Sequence, residues 1–386
     1  MLTAVDSPVS DRQHGPMDFR GRVFLAPLTK GGNLPFRRLC LRHGGVVTMG
    51  EMAYGYQVVR RSKSELALLR KHPEETCFGA QIAASKPADA IAAGREAAAR
   101  GAHWVDLNCG CPIHDVVKRG MGATLLQRPA QLAKLVEEMV KGVPVPVSVK
   151  IRLGWTESEQ NASEVARLVQ EAGAAALTVH GRTREQRYSR AADWDAIARI
   201  AAERTIPVIG NGDLLTWYET KERWASSGVA SVMLGRGALI KPWLFREIAE
   251  GKGWEPDARE RLGVYLDLAR MMKEHFRDDE KGKERAMRFL PWHFEFFCRY
   301  RPLSAEKFVA ASKAHPLIQT RFDEQGEELS VLERLLRDPR EEVHLRLADL
   351  LWSAGDLDAA EAAALQLAAE MPPVAGERDE TPVAHG

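Results

Sequence analysis

The chain has 386 residues, 45% of them hydrophobic and 28% charged, with a net charge of +1. This suits a globular protein with a large core and excludes a globally basic nucleic-acid binder, though not a basic face balanced elsewhere. Five sparse cysteines (Cys40, Cys77, Cys109, Cys111 and Cys298) read as reduced thiols, not as a disulfide framework.

Residues 1–20 are polar, lack a secretory signal pattern and are expected to be flexible. No apolar run approaches the roughly 20 residues that span a bilayer, so a cytoplasmic protein with no membrane contact is expected.

From residue 22 onward, short β-type runs alternate with helical patterns. The runs are RVFLAP (22–27), GVVTMG (45–50), CFGAQI (77–82), WVDLNC (104–109), VPVSVKI (145–151), AALTVH (175–180), PVIGNG (207–212) and SVMLGR (231–236). Helical segments such as 86–101 and 161–173 lie between them, the latter opening on Asn161 and ending at Gly173. Strands with helical crossovers argue for a parallel sheet, and eight of them favour a closed (β/α)8 TIM barrel over residues 21–250 rather than an open doubly wound sheet. Residues 251–325 carry helical patterns without strands and predict an all-α domain. Residues 326–371 add two amphipathic stretches that suggest an extra helical hairpin, and 372–386 read as a disordered tail.

Polar residues gather at the strand ends: Pro27, Glu51, Gln81, Asn108 to Cys111, Lys150, His180, Asn211 to Asp213, and Gly235 with Arg236. A barrel brings such ends to one rim, where active sites form. The glycine-bearing turns after the last two runs suit a phosphate. No GxGxxG opens a βαβ unit, so flavin mononucleotide across the mouth fits better than a Rossmann-bound dinucleotide. Lys150 would then face the flavin and stabilise negative charge on it.

Three stretches are basic: 58–72 (VVRRSKSELALLRKH), 181–190 (GRTREQRYSR), and 280–301, where aromatics from Trp292 to Tyr300 are interleaved. Cations with aromatics suit RNA. The run WHFEFF at helical spacing reads as bundle core, whereas the arginines of 181–190 read as functional. In NCGCP (108–112), Cys109, Cys111 and His114 lack the second ligand pair that a structural zinc wants, so no metal is expected. A disulfide across one residue would be strained. A single reactive thiol remains, presented by a cysteine before a rigid proline and protonated near neutrality. Cys109 points away from the rim only if the strand stays extended past Asn108.

NCGCP with GMGATLL downstream, VKIRLG (149–154), TVHGRT (178–183), GNGD (210–213) and LGRGAL (234–239) together resemble the flavin-dependent tRNA-dihydrouridine synthases. RKHPEETCFGAQI (70–82) and KGKERAMRFLPWHFEFFCRYRPL resemble the branch typified by the eukaryotic variable-loop enzyme. The resemblance implies an FMN barrel with a helical RNA-binding domain, reduced by NADPH or NADH and acting on tRNA; a monomer is expected. It implies hydride transfer to C6 of a flipped uracil and a proton to C5 from Cys111, with Asn108 holding the base. Pro27, Leu28, Gln81, Lys150, His180, Asn211, Gly212, Asp213, Gly235 and Arg236 map to FMN, and Arg152 and Arg182 to RNA or uracil. Leu28 stands where the family often has Met, Met121 replaces a small residue, and Cys109 fills the variable slot. The competing readings are an FMN-dependent reductase of a free pyrimidine, a synthase acting on ribosomal RNA, and a non-catalytic RNA binder.

Overall fold

A computed structural model describes residues 17–306, 308 and 329–372. The first sixteen residues of the expected flexible segment, the junction between the 251–325 and 326–371 regions, and the tail beyond Pro372 lie outside the described residues.

The strands are β1 Val23–Leu25, β2 Val47–Met49, β3 Ala53–Tyr54, β4 Cys77–Ala83, β5 Trp104–Cys109, β6 Val147–Arg152, β7 Ala176–His180, β8 Val208–Asn211 and β9 Ser231–Leu234. All pairings are parallel. β1 pairs with both β2 and β9, and β2 pairs with β4 (Val47 opposite Cys77), which closes the eight expected strands into a barrel. β3 is an extra two-residue strand at the rim beside Ile82 and Ala83 of β4. It forms where Glu65 accepts the Tyr54 backbone N–H at 2.6 Å.

The crossovers carry helices α1 Leu34–Arg42, α2 Gly55–Val59, α3 Lys63–Leu68, α4 Pro87–Ala99, α5 His114–Lys118, α6 Pro129–Gly142, α7 Ala162–Glu171, α8 Trp194–Glu203, α9 Trp217–Ser227, α10 Arg236–Ile240 and α11 Leu244–Glu250. Asn161 stands at the N-cap of α7, but its side chain does not cap. It reaches instead to the carbonyl of Leu126 at 2.7 Å.

The period-of-two alternation sorts each strand into two faces. Val105, Leu107 and Cys109 of β5 join the layer between strands and helices, while Trp104 joins the barrel's lower interior with Phe24, Met49 and Ile209. Phe19, in the segment expected to be flexible, is buried in that interior. Its ring meets Trp104 edge-on at 5.7 Å, and its carbonyl accepts from Ser231 Oγ at 2.7 Å. Gly79 makes room for the indole: a Cβ there would lie 2.2 Å from Trp104.

Beyond the barrel come α12 Ala258–Phe276, α13 Glu280–Ala286, α14 Leu290–Phe297, α15 Val331–Leu336, α16 Glu341–Ser353 and α17 Leu357–Glu370. A reciprocal Asp257–Glu260 capping box opens α12. The rings of Tyr265, Phe294 and Phe297 pack at 4.7 and 4.8 Å, so the WHFEFF run supplies bundle core. Arg261 on α12 reaches Glu333 of α15 at 2.5 Å, and Tyr265 Oη donates to the Leu336 carbonyl at 3.3 Å. The described part of the 326–371 region, from residue 329, therefore packs onto the α12 bundle, with a short helix ahead of the hairpin. The helical part grips the barrel near its rim, where Asn33 Nδ2 lies 2.9 Å from His293 Nε2. No helix among the described residues is long and apolar enough to cross a membrane.

Candidate active site

The upper interior of the barrel is polar, and deep in it lies Asp106, two residues before Asn108 on the inward face of β5. Its carboxylate accepts from Ser148 Oγ at 2.6 Å and Gln81 Nε2 at 2.8 Å. Burial pushes this carboxyl up to about 6, against the pull of those hydrogen bonds and of Lys150. The carboxylate sets a direction for everything above it. Gln81 spends its N–H2 downward, so its Oε1 faces up and accepts from Asn108 Nδ2 at 2.8 Å. Asn108 Oδ1 in turn accepts the backbone N–H groups of Gly110 at 3.2 Å and Cys111 at 2.9 Å. Asn108, expected to hold a base, thus has its carboxamide engaged in shaping the Cys111 loop, and Gln81 is tied to the same chain. Sequence reasoning passed over Asp106, although its period-of-two relation to Asn108 marks it as inward-facing.

β5 stays extended through Cys109, so the two thiols part company. Cys109 is fully buried in the strand–helix layer, and burial raises its thiol well above the ordinary value. Cys111 is half-buried at the mouth. Burial raises its thiol too, against the nearby charges of Arg152 and Lys150, so it is protonated at neutral pH. The downstream GMGA segment supports this loop. Ala123 N–H donates to the Cys111 carbonyl at 3.1 Å, and Gly122, at φ +61°, comes so close that a Cβ would lie 2.7 Å from that oxygen. Met121 is buried against Val116 and Ala83.

Cations cluster next to this loop, from β6 round to the turn after β9. Lys150 follows Asn108 across the β5–β6 register, and no protein group hydrogen-bonds its ammonium among the described residues. Burial first, then Arg152, lowers it to about 8. His180 is neutral, lowered by burial and by four surrounding cations. Its Nε2 lies 3.2 Å from Arg182 Nη1; a guanidinium only donates, so the ring proton sits on Nδ1.

Arg152 and Arg182, expected against RNA or uracil, are both engaged within the protein. Arg182 is fully buried: Nη2 donates to both carboxylate oxygens of Asp213 at 2.6 Å, and Nε to the Arg190 carbonyl at 2.5 Å. Arg152, also buried, bonds the carbonyls of Gly110 at 2.8 Å and Thr183 at 3.0 Å. Both hold the rim together, and the outward-facing cations of the 181–190 loop are Arg187 and Arg190 instead. Asp213, in left-handed backbone at φ +52°, also binds Arg236 at 2.8 Å. Burial alone would raise this carboxyl, but the two guanidiniums outweigh it and hold it below its ordinary range. Its carboxylate is thereby committed, and Arg236 keeps the more open guanidinium. The Tyr188 ring lies beneath Arg236 at 4.6 Å. Asn211 donates to the Met233 carbonyl at 2.8 Å, linking β8 to β9. Gly212 packs so tightly that a Cβ would meet Ala192 at 2.6 Å. Leu28, beside Pro27 at the end of β1, faces Gly235 across the barrel seam.

Lys150, His180, Arg236 and the glycine turns at 212 and 235 thus follow one another round the mouth from β6 to β9, with the Cys111 thiol next to them on the loop after β5. That donor set suits an anionic, phosphate-bearing cofactor facing an acid.

The family described as "Dihydrouridine synthase (Dus)" matches residues 24–324. The chain belongs to the dihydrouridine synthase family. Among its relatives, the tRNA-dihydrouridine(47) synthase [NAD(P)(+)] of Coprinopsis cinerea is 37% identical over 89% of this chain and 52% of its own length. The human tRNA-dihydrouridine(47) synthase [NAD(P)(+)]-like protein is 41% identical over 74% of this chain and 44% of its own. This dihydrouridine synthase family chain spans about half the length of the curated relatives it matches. In fold alone it resembles the 6-hydroxypseudooxynicotine amine oxidase of Pseudomonas geniculata N1, with a TM-score of 0.50, 13% identity, and coverage of 71% of this chain and 54% of that one.

Proposed function

We propose that this chain is a tRNA-dihydrouridine synthase that uses FMN and NADPH, or NADH, to reduce the C5–C6 double bond of a uridine in tRNA. The observation that carries the reading is a protonated thiol, Cys111, held at the barrel mouth near Lys150, whose ammonium has no hydrogen-bond partner among the described residues. The names of the relatives make position 47 the first uridine to examine. We place the activity in the cytoplasm, in a monomer.

Pro27, Leu28, Gln81, Lys150, His180, Asn211, Gly212, Asp213, Gly235 and Arg236 would surround the flavin. Arg236 and the backbone of the two glycine turns would take its phosphate. The side chains of Gln81 and Asp213 are already engaged and would act by shaping the cradle. Bound, reduced FMN supplies the hydride that adds to uracil C6. Cys111 gives its thiol proton to C5; hydride plus proton saturate the double bond, and the thiolate regains a proton from solvent. Arg152, through the Gly110 carbonyl, and Asn108, through the Cys111 N–H, keep the sulfur aimed at the base. The target uracil must leave its stack to reach them, at a cost of a few kcal/mol.

Incubation with NADPH and unmodified tRNA, followed by nucleoside mass spectrometry, is expected to yield dihydrouridine, with free uridine reduced far more slowly. Equal rates on tRNA and free uridine would transfer the reading to a free-pyrimidine reductase.

Lys150 links site and stability. Its ordinary value is 10.5 and its folded value about 8. Between the two, the unfolded chain binds more protons, so stability rises as pH climbs through that window, and below it the half-buried ammonium costs stability. Lys150→Met is therefore expected to stabilise the flavin-free protein at pH 7 by on the order of 1–3 kcal/mol, while flavin content falls. Denaturant midpoints of stripped protein and flavin absorbance check the two halves.

A further inference from the structure

We propose that the flank of the barrel carried by α2, α3 and α4 is a phosphodiester track, running from the Cys111 rim into a basic groove beside α12, and that it binds the RNA backbone beyond the nucleotide in the mouth. The inference rests on the RNA reading above.

The groove is open and encloses about 440 Å3. Arg38, Arg70, Lys71, His72, Arg100 and His275 line most of it, and Leu34 is its one apolar residue. Its single carboxylate, Glu274, bonds Arg38 at 2.9 Å, as Glu74 does at 3.0 Å, so Arg38 is neutralised in place. Arg70 and Lys71 make no ion pair among the described residues. They stand on a fixed segment: Arg37 Nη2 holds the Arg70 carbonyl at 2.7 Å, and Arg37 is itself clamped to buried Glu75 at 2.7 Å. The Lys71 stem lies along Gly101, beside Arg100. His275 is neutral, lowered to about 4 by burial and then by Arg70 and its neighbours, and serves as an uncharged partner.

A chain of contacts connects the groove to the rim. Tyr56 packs in the cluster that includes Cys111 and Ile113. Arg119 and Arg60 lie over its ring at 5.5 and 5.8 Å. Arg61 follows, and Glu96 bonds both Arg61 at 2.7 Å and Arg100 at 2.8 Å, acting as a strut between the two ends. Cations strung along a path, on which Val59 is the one exposed large aliphatic side chain among the described residues, fit a phosphodiester chain better than a protein interface built on apolar anchors. The Tyr56 ring with two guanidiniums beside it suits a base or sugar next to the mouth. This path also uses the basic 58–72 stretch, which the reaction itself leaves unexplained.

The test is the double variant Arg70→Glu/Lys71→Glu, compared with Lys134→Glu/Arg167→Glu on α6 and α7. Each is assayed on full-length unmodified tRNA and on a short stem-loop bearing the same uridine. For the groove variant, KM for tRNA is expected to rise about tenfold or more with kcat within about twofold, and its salt dependence to flatten by about 1–2 in log–log slope. The stem-loop KM and the α6–α7 variant should stay unchanged. An unchanged tRNA KM, or an equal rise on both RNAs, would overturn the track. If the wild type reduces no RNA, the proposed function fails on its own account, and filter binding of tRNA then decides the track: a tenfold loss in the groove variant supports it, equal binding refutes it.

Discussion

Cys111→Ala is expected to lower turnover on tRNA by roughly 10²–10⁴-fold, the usual range for loss of a positioned acid, with flavin content unchanged. Among the described residues the thiol bonds none of the side chains expected to hold the cofactor, so its removal leaves that cradle intact. Cys109→Ala should retain turnover, because Cys109 faces the helix layer and is wholly buried. The pH profile adds a second readout. Burial raises the Cys111 thiol above its ordinary value, so the acid form persists through neutrality and activity declines only on the alkaline side. Single-turnover reoxidation of the reduced flavin by tRNA from pH 6 to 10, alongside nucleoside mass spectrometry, measures both. Equal loss in Cys109→Ala would overturn the assignment of the acid.

Asp213→Asn is expected to destabilise the fold by about 3–5 kcal/mol, because it leaves the buried Arg182 guanidinium without its counter-ion and loosens Arg236. Asn tolerates the left-handed backbone at this position, so the substitution isolates the charge from the conformational effect. The folded carboxyl lies below its unfolded value. Its stabilisation is therefore fully present above the unfolded value near 3.8, and is lost as pH falls through the folded one. Wild type and variant should thus differ most at neutral pH and converge in acid, as urea midpoints between pH 3 and 7 would reveal. Flavin retention should fall with stability, since Asp213 aligns Arg236. A midpoint unchanged at pH 7 would mean that solvent screens the pair despite its burial.

The contrast between Arg182 and Cys111 shows how far local pattern reaches. Cys111 follows from NCGCP, since a proline-held residue at a strand end has few directions to face. The separation of Cys109 from Cys111 needed only the extent of β5, because alternation then assigns the faces. Arg182 sits in an equally basic, rim-like stretch, yet it turns inward because Asp213, 31 residues away, offers a buried carboxylate. Asp106 escaped notice for the complementary reason. One acid in an apolar strand gives no local signal of role, and its importance comes from Gln81 and Ser148, which arrive from neighbouring strands.

The sequence by itself determined the strand–helix alternation, the collection of polar strand ends at one rim, the helical character beyond residue 250 and the proline-held thiol. These depend on periodicity and turn chemistry that act over a few residues. Only the tertiary structure decided which charges face solvent and which are consumed in pairs. It also decided how the Asp106–Gln81–Asn108 chain is directed, and that the basic 58–72 stretch joins Arg100 and α12 in one groove. Charge pairing and hydrogen-bond direction are set by partners tens to hundreds of residues apart, and those partners meet only when β2 pairs with β4, β1 pairs with β9, and the barrel closes.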